Sequence, residues 1–191
     1  MRRRANSDEE DVAIVFRDTI SLALAAFMAV AVLLLPHINP GKKAATEATT
    51  QPGNVVVEVR WPDDADADVD TWVLGPNDKP VGYSAKAGNL FNLLRDDRGE
   101  NDTTPLNYET AFSRGIPDGE YVVNIHCFAC GAPIGVFVEV RIGRSGSDLV
   151  YSDTITVKPM QELTAISFIV ADGKAVPGSE SYIFQPLRNR T

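Results

Sequence analysis

Residues Val55-Val56-Val57-Glu58-Val59-Arg60-Trp61 begin the part of the sequence whose pattern decides the fold. Apolar and polar side chains alternate here, which is the period-two pattern of a half-buried β-strand. Similar short runs recur, separated by Pro, Gly, Asn and Asp, and predict strands over 69–74, 120–128, 134–143, 152–157 and 164–171. Residues 90–95 are predicted to form one helical turn. The spacing predicts an all-β sandwich over residues 55–191.

A linker, an apolar run and a charged tail precede this part. Residues 39–54 combine Pro, Gly and a Thr/Ala-rich stretch, which indicates a linker. No charged side chain occurs from Thr19 to Leu35, and about 20 helical residues cover the roughly 30 Å of membrane hydrocarbon. We therefore predict a transmembrane helix over residues 12–38 and a cytoplasmic tail over residues 1–11. The predicted fold class is a single N-terminal transmembrane α-helix followed by an all-β sandwich.

Flanking charges predict the orientation of that helix. Arg2–Arg4 and Arg17 outnumber Lys42 and Lys43, so the N-terminus is expected in the cytoplasm. This predicts a bacterial inner-membrane protein with its C-terminal domain in the periplasm. A cleaved secretory signal peptide is the alternative, because Ala29-Val30-Ala31 resembles a cleavage site, but the apolar run continues beyond it.

Asp18 is the most informative side chain of the apolar segment. A carboxylate in a membrane span is costly, and such groups often bind and release protons. Asp18, Ser21 and Ala25 lie at i, i+3 and i+7 and share one helix face, where small residues permit close approach of another helix. Thr19 is assigned with them to the ion path and helix packing. The alternative is that Asp18 only caps the helix or favours its dipole.

Residues 18–28, Asp-Thr-Ile-Ser-Leu-Ala-Leu-Ala-Ala-Phe-Met, resemble the membrane segment of the MotB, TolR and ExbD group of ion-driven motor subunits. The resemblance covers Val12–Pro36. It implies a homodimer of this chain inside about five copies of a polytopic membrane subunit of the MotA, TolQ or ExbB kind, with proton passage at Asp18. The implied function is a B-type stator subunit that couples proton flow across the inner membrane to mechanical work.

The sequence after Asn54 departs from that group, whose members carry α/β domains. Residues 57–140 instead resemble the β-sandwich domain of unknown function of YfaP-like bacterial proteins. The similarity rests on a D-x-D-x-W strand at Asp68–Trp72, a Gly-Pro-Asn turn at Gly75–Asn77 and P-D-G-E-Y at Pro117–Tyr121. The second candidate function is therefore a membrane-anchored periplasmic binding module that recognises an envelope component. No enzyme is predicted, because no nucleophile with a paired base stands out.

The chain is acidic, with a formal net charge of -8. Nucleic acid is not expected as a partner, because binding a phosphate backbone requires clustered Lys and Arg. No cofactor is predicted except a possible Ca²⁺ at Asp68, Asp70, Asp97 and Asp102. Asp68 and Asp70 share a strand face, and carboxylates suit a hard cation. A solvated acidic loop is the alternative.

The two cysteines are Cys127 and Cys130. In an exported domain such a pair more often forms a disulfide than a metal site, so we predict a disulfide across a tight turn after a strand. Free thiols and a redox pair remain alternatives. Zinc is disfavoured, because His126 and two thiols supply only three of its usual four ligands.

Overall fold

The structure is a computed structural model, and it describes residues 14, 16–32, 53–99, 102, 104–144 and 146–188. The chain divides into two compact units, Met1–Ala48 and Thr49–Thr191. The described part of the first unit is helical, and the second contains two antiparallel sheets.

The helix of the first unit covers residues 16–32, and Ile14 is helical as well. Within the described ranges, no helix is long and apolar enough to cross a membrane. The predicted transmembrane helix over 12–38 is therefore wrong, and so is the predicted single-pass inner-membrane location with a periplasmic domain. The assignment to an inner-membrane motor loses its basis for the same reason.

The second unit contributes nine strands among its described residues. They are β1 Val55–Arg60, β2 Ala67–Leu74, β3 Phe91–Arg95, β4 Tyr108–Ser113, β5 Gly119–Cys130, β6 Ile134–Ile142, β7 Asp148–Val157, β8 Glu162–Ala171 and β9 Lys174–Ala175. One sheet has the order β3-β4-β1-β6-β7, and the other has the order β2-β5-β8-β9.

Alternation along the strands explains the core between the sheets. In β6, Val136, Val138 and Val140 are buried, whereas Glu139 and Arg141 on the opposite face are only partly buried and form an ion pair. Burial of each such apolar side chain contributes about 1.5–3 kcal/mol. The polar face of β6 therefore remains next to solvent while its apolar face holds the two sheets together.

Strand β5 is buried on both faces. Tyr121 and Ile125 face the core between the sheets. Asn124 and His126 point to the opposite face because side chains alternate along a strand, and they too are fully buried. The C-terminal segment covers this second face, where Leu187 joins a small apolar cluster.

The helical turn predicted over residues 90–95 is wrong. Phe91–Arg95 is strand β3 and pairs antiparallel with β4, with Phe91 opposite Ser113. Pairing with β4 satisfies the backbone groups of this segment, and tertiary context of this kind commonly overrides a local preference for helix.

Candidate functional site

An acidic cluster lies where the two sheets meet at the free edge of β2. Strand β2 is the outermost strand of its sheet. In its outer row of backbone groups, Val73 exchanges two hydrogen bonds with Val81, and the Thr71 N–H lies in the same row. Glu109 in β4 of the other sheet reaches this row. The backbone N–H of Thr71 donates to Glu109 Oε2 at 2.6 Å. The Glu109 carboxylate therefore takes the place of a strand partner and links the sheets.

The orientation of Glu109 follows from the pattern of β4. Glu109 and Ala111 lie on the same face of the strand, and Ala111 belongs to the core between the sheets. Glu109 is thus directed inward and is fully buried at 0% exposure. A charged residue in this position requires compensation, because a buried charge without a partner is strongly unfavourable.

Three carboxylates converge here. Asp70, Asp96 and Glu109 each offer one oxygen, and these oxygens lie within 4.8 Å of one another. Asp70 is 4% exposed, and Asp96 is partly buried. Like charges at this separation disfavour simultaneous ionisation. The cluster therefore favours either a bound proton or a bound cation.

Glu109 carries the clearest sign of an unmet interaction. Its Oε1 atom is buried and has no hydrogen-bond partner among the described residues. Burial raises the pKa of Glu109 well above its usual range, and the charges of Asp70 and Asp96 act in the same direction. The Thr71 hydroxyl, which has no other hydrogen-bond partner among the described residues, lies close enough to the carboxylate to oppose this shift in part, and so does the Thr71 backbone N–H.

Two neighbours contact the cluster from its sides. Lys86 Nζ lies 2.8 Å from Asp96 Oδ2, but the Lys86 side chain is exposed, and exposed pairs contribute little. His126 Nδ1 lies 2.9 Å from Asp70 Oδ2, and His126 is fully buried. A carboxylate has a second oxygen and further lone pairs, so both aspartates keep capacity for another ligand.

The structure brings only one of the four predicted calcium ligands into this cluster, namely Asp70. Asp97 Oδ2 lies 3.0 Å from Arg95 Nη2, and Asp102 pairs with the same guanidinium nitrogen. Asp68 lies nearby. Partial burial raises the pKa of Asp68 to about 6, and the charges of Asp70 and other aspartates add to the shift.

Asp96 and Glu109 were not predicted as site residues from the sequence. Asp96 precedes the predicted ligand Asp97, so the sequence shows an acidic pair. The sequence does not show which of the two side chains faces the cluster. Glu109 lies in β4, which was not predicted as a strand. Ala111 follows Glu109 by two residues, so in a strand the two side chains lie on the same face. This spacing from a small apolar residue could have indicated that Glu109 points inward.

The proton-binding and packing residues proposed for the helix are all exposed side chains within residues 16–32. They are Asp18, Thr19, Ser21 and Ala25. The structure contains one copy of this chain and no partner, so their assigned roles stay predictions. The same holds for the homodimer and for the polytopic subunit.

Cys127 and Cys130 form a disulfide inside β5, not across a turn after the strand as the sequence suggested. The bond spans a β-bulge. Val69 pairs with Cys127 and Asp68 with Ala129, so Phe128 has no direct partner in β2. A bulge changes the register of the residues around it. Beyond this bulge Asp70 lies opposite His126.

Comparison of the chain with protein-family models, with curated proteins and with solved structures yields no match. The resemblances to the MotB group and to YfaP-like domains therefore stay predictions.

Proposed function

We propose that the β-rich unit is a binding module organised by a divalent cation, Ca²⁺, held by Asp70, Asp96 and Glu109. The observation that carries this proposal is the buried Glu109 Oε1 atom, which has no hydrogen-bond partner among the described residues and belongs to a group of three converging carboxylates. A cation at this position would satisfy that oxygen and remove the repulsion among the three charges.

The ligand set favours calcium over softer metals. All three ligands are carboxylates, and hard cations prefer oxygen. Calcium–oxygen distances are about 2.3–2.6 Å, so two oxygens on opposite sides of one ion are about 5 Å apart. Three oxygens within 4.8 Å of one another lie close to the spacing that one Ca²⁺ requires, so side-chain adjustments can bring all three to the ion. Mg²⁺ forms shorter bonds and retains more of its water.

The proposed cation also explains how such a module would bind a ligand. Calcium takes about six to eight oxygens, and three carboxylates leave several positions for backbone carbonyls, water or an incoming ligand. Asp96 is the least buried of the three, so the accessible side of the ion would be next to it. The expected ligand is rich in oxygen atoms. This proposal retains the binding-module alternative of the sequence analysis without its membrane anchor.

Isothermal titration calorimetry of the full chain with CaCl2 tests the proposal. We expect saturable binding with a Kd below about 1 mM. Glu109→Gln keeps an acceptor for the Thr71 N–H but removes the charge, and it should weaken binding at least about tenfold. Glu139→Gln is the matched control, because Glu139 pairs with Arg141 on the solvent face of β6. The proposal fails if the wild-type chain binds no Ca²⁺, or if Glu109→Gln binds it as tightly as Glu139→Gln.

A further inference from the structure

The C-terminal segment, residues 181–188, is held on the outer face of the β2-β5-β8-β9 sheet by buried polar groups. Asn124 Nδ2 donates to the carbonyl of Gln185 at 2.7 Å. The Leu187 N–H donates to Glu162 Oε1 at 3.0 Å, and the same oxygen accepts from Asn124 Nδ2 at 2.7 Å. These bonds fix the backbone of the segment and not only its side chains.

Packing anchors the segment near its end. Leu187 is fully buried against Trp72 and Val122. By contrast, Tyr182, Ile183 and Phe184 are mostly exposed, Ile183 at 77%. Ser181 exchanges two backbone hydrogen bonds with Ser167 in β8. Beyond Ser181 the segment is attached chiefly through residues 185–188, because the apolar side chains before them bury little surface.

A chain of contacts connects this anchor to the acidic cluster. Arg188 Nη1 lies 2.6 Å from His126 Nε2, and His126 Nδ1 lies 2.9 Å from Asp70 Oδ2. A guanidinium has only donors, so Nε2 must accept, and the ring proton is on Nδ1, which donates to Asp70. Asp70 and His126 are also direct cross-strand neighbours. Arg188 thereby fixes the tautomer that orients the Asp70 carboxylate.

We propose that docking of the C-terminal segment and cation binding are coupled, with His126 and Arg188 as positioning residues for the Asp70 ligand. This inference rests on the proposed function of the acidic cluster. Groups that orient the ligands of a metal typically change its affinity about 10–100-fold when they are removed. Coupling between two binding events is reciprocal, so the cation should also hold the segment more firmly on the sheet.

The test compares the full chain with Arg188→Ala. We expect Arg188→Ala to raise the calorimetric Kd for Ca²⁺ about tenfold. Arg114→Ala is the matched control, because Arg114 is an exposed residue that bonds to Asn92. Its Kd should equal that of the wild type.

Amide hydrogen exchange provides a readout that a purely structural role would not move. The N–H of Leu187 bonds to Glu162 only when the segment is docked. Saturating Ca²⁺ should slow its exchange about tenfold in the wild type, by reciprocity with the Kd effect. The same Ca²⁺ concentration should slow this exchange less in Glu109→Gln, which binds the ion more weakly because it lacks the ligand charge.

The outcomes separate this inference from the proposed function. If the wild type binds no Ca²⁺, both are refuted. Suppose instead that the wild type binds Ca²⁺, that Arg188→Ala has the same Kd, and that the exchange rate of the Leu187 amide does not change with Ca²⁺. The coupling is then refuted and the cation site stands. A lower melting temperature of Arg188→Ala with an unchanged Kd likewise refutes the coupling, because it assigns Arg188 a structural role alone.

Discussion

Gly82→Ala should destabilise the β-rich unit by overpacking Trp72. An added Cβ at Gly82 would lie 2.4 Å from Trp72 Cδ2 and 2.6 Å from Cε3, whereas ordinary contact begins at 3.4 Å. The indole would have to move by about 1 Å, although it is 1% exposed and packs with Leu187. Gly82 cannot retreat easily, since its N–H bonds to the Ala85 carbonyl and its own carbonyl accepts from the Ala85 N–H.

Overpacking of this kind typically costs about 1–3 kcal/mol. We expect about 2–3 kcal/mol here, which lowers the Tm by roughly 5–10 °C. Urea unfolding followed by tryptophan fluorescence measures the change in the free energy of unfolding. Gly131→Ala is the control, because a Cβ added at Gly131 meets nothing within 4 Å. Equal denaturation midpoints for the two variants would show that the indole is not confined as described.

Two further predictions concern the C-terminal segment and a turn. Leu187→Ala should lower the free energy of unfolding by about 2–5 kcal/mol, because a fully buried side chain is lost. A decrease in Tm of less than about 1 °C in thermal melts would contradict this prediction. Partial burial tends to raise the pKa of Asp78. Hydrogen bonds from four backbone N–H groups outweigh this effect and hold the pKa of Asp78 below its usual value. The four donors are the N–H groups of Lys79, Asn89, Leu90 and Phe91. A lowered pKa in the folded state gives stability that is present above the unfolded value near pH 4 and lost as the pH falls through the folded pKa. Asp78→Asn should therefore lower the free energy of unfolding by about 1–2 kcal/mol at pH 7. In urea titrations the difference from the wild type should become smaller below about pH 4. A difference that stays constant across this pH range would contradict the prediction.

Strands could be predicted from the sequence where one face of the strand is buried and the other is not. Runs such as Val136–Val140 show alternation directly in the sequence. Strands β3 and β4 were not predicted because apolar and polar residues do not alternate regularly along Phe91–Arg95 and Tyr108–Ser113. The apolar run from Thr19 to Leu35 suggested a membrane-spanning helix, and among the described residues no helix is long and apolar enough to cross a membrane.

The acidic cluster was only partly predictable. Asp70 was identified because it alternates with Asp68 in a recognisable strand. Its partners depend on how two sheets meet at an edge, which no local pattern encodes. Asp97 and Asp102 were assigned as metal ligands, yet both pair with Arg95. Composition shows that acids are abundant, but only the folded arrangement shows which charges are already neutralised.

The contact between Glu109 and the free edge of β2 also bears on self-association. An unpaired strand edge can accept a strand from another molecule and start ordered polymerisation. Glu109 occupies the Thr71 N–H that such a strand would need, and its carboxylate offers no complementary donor row. The Glu109 side chain, which organises the proposed ion site, therefore also opposes the addition of a strand from another molecule at this edge of β2.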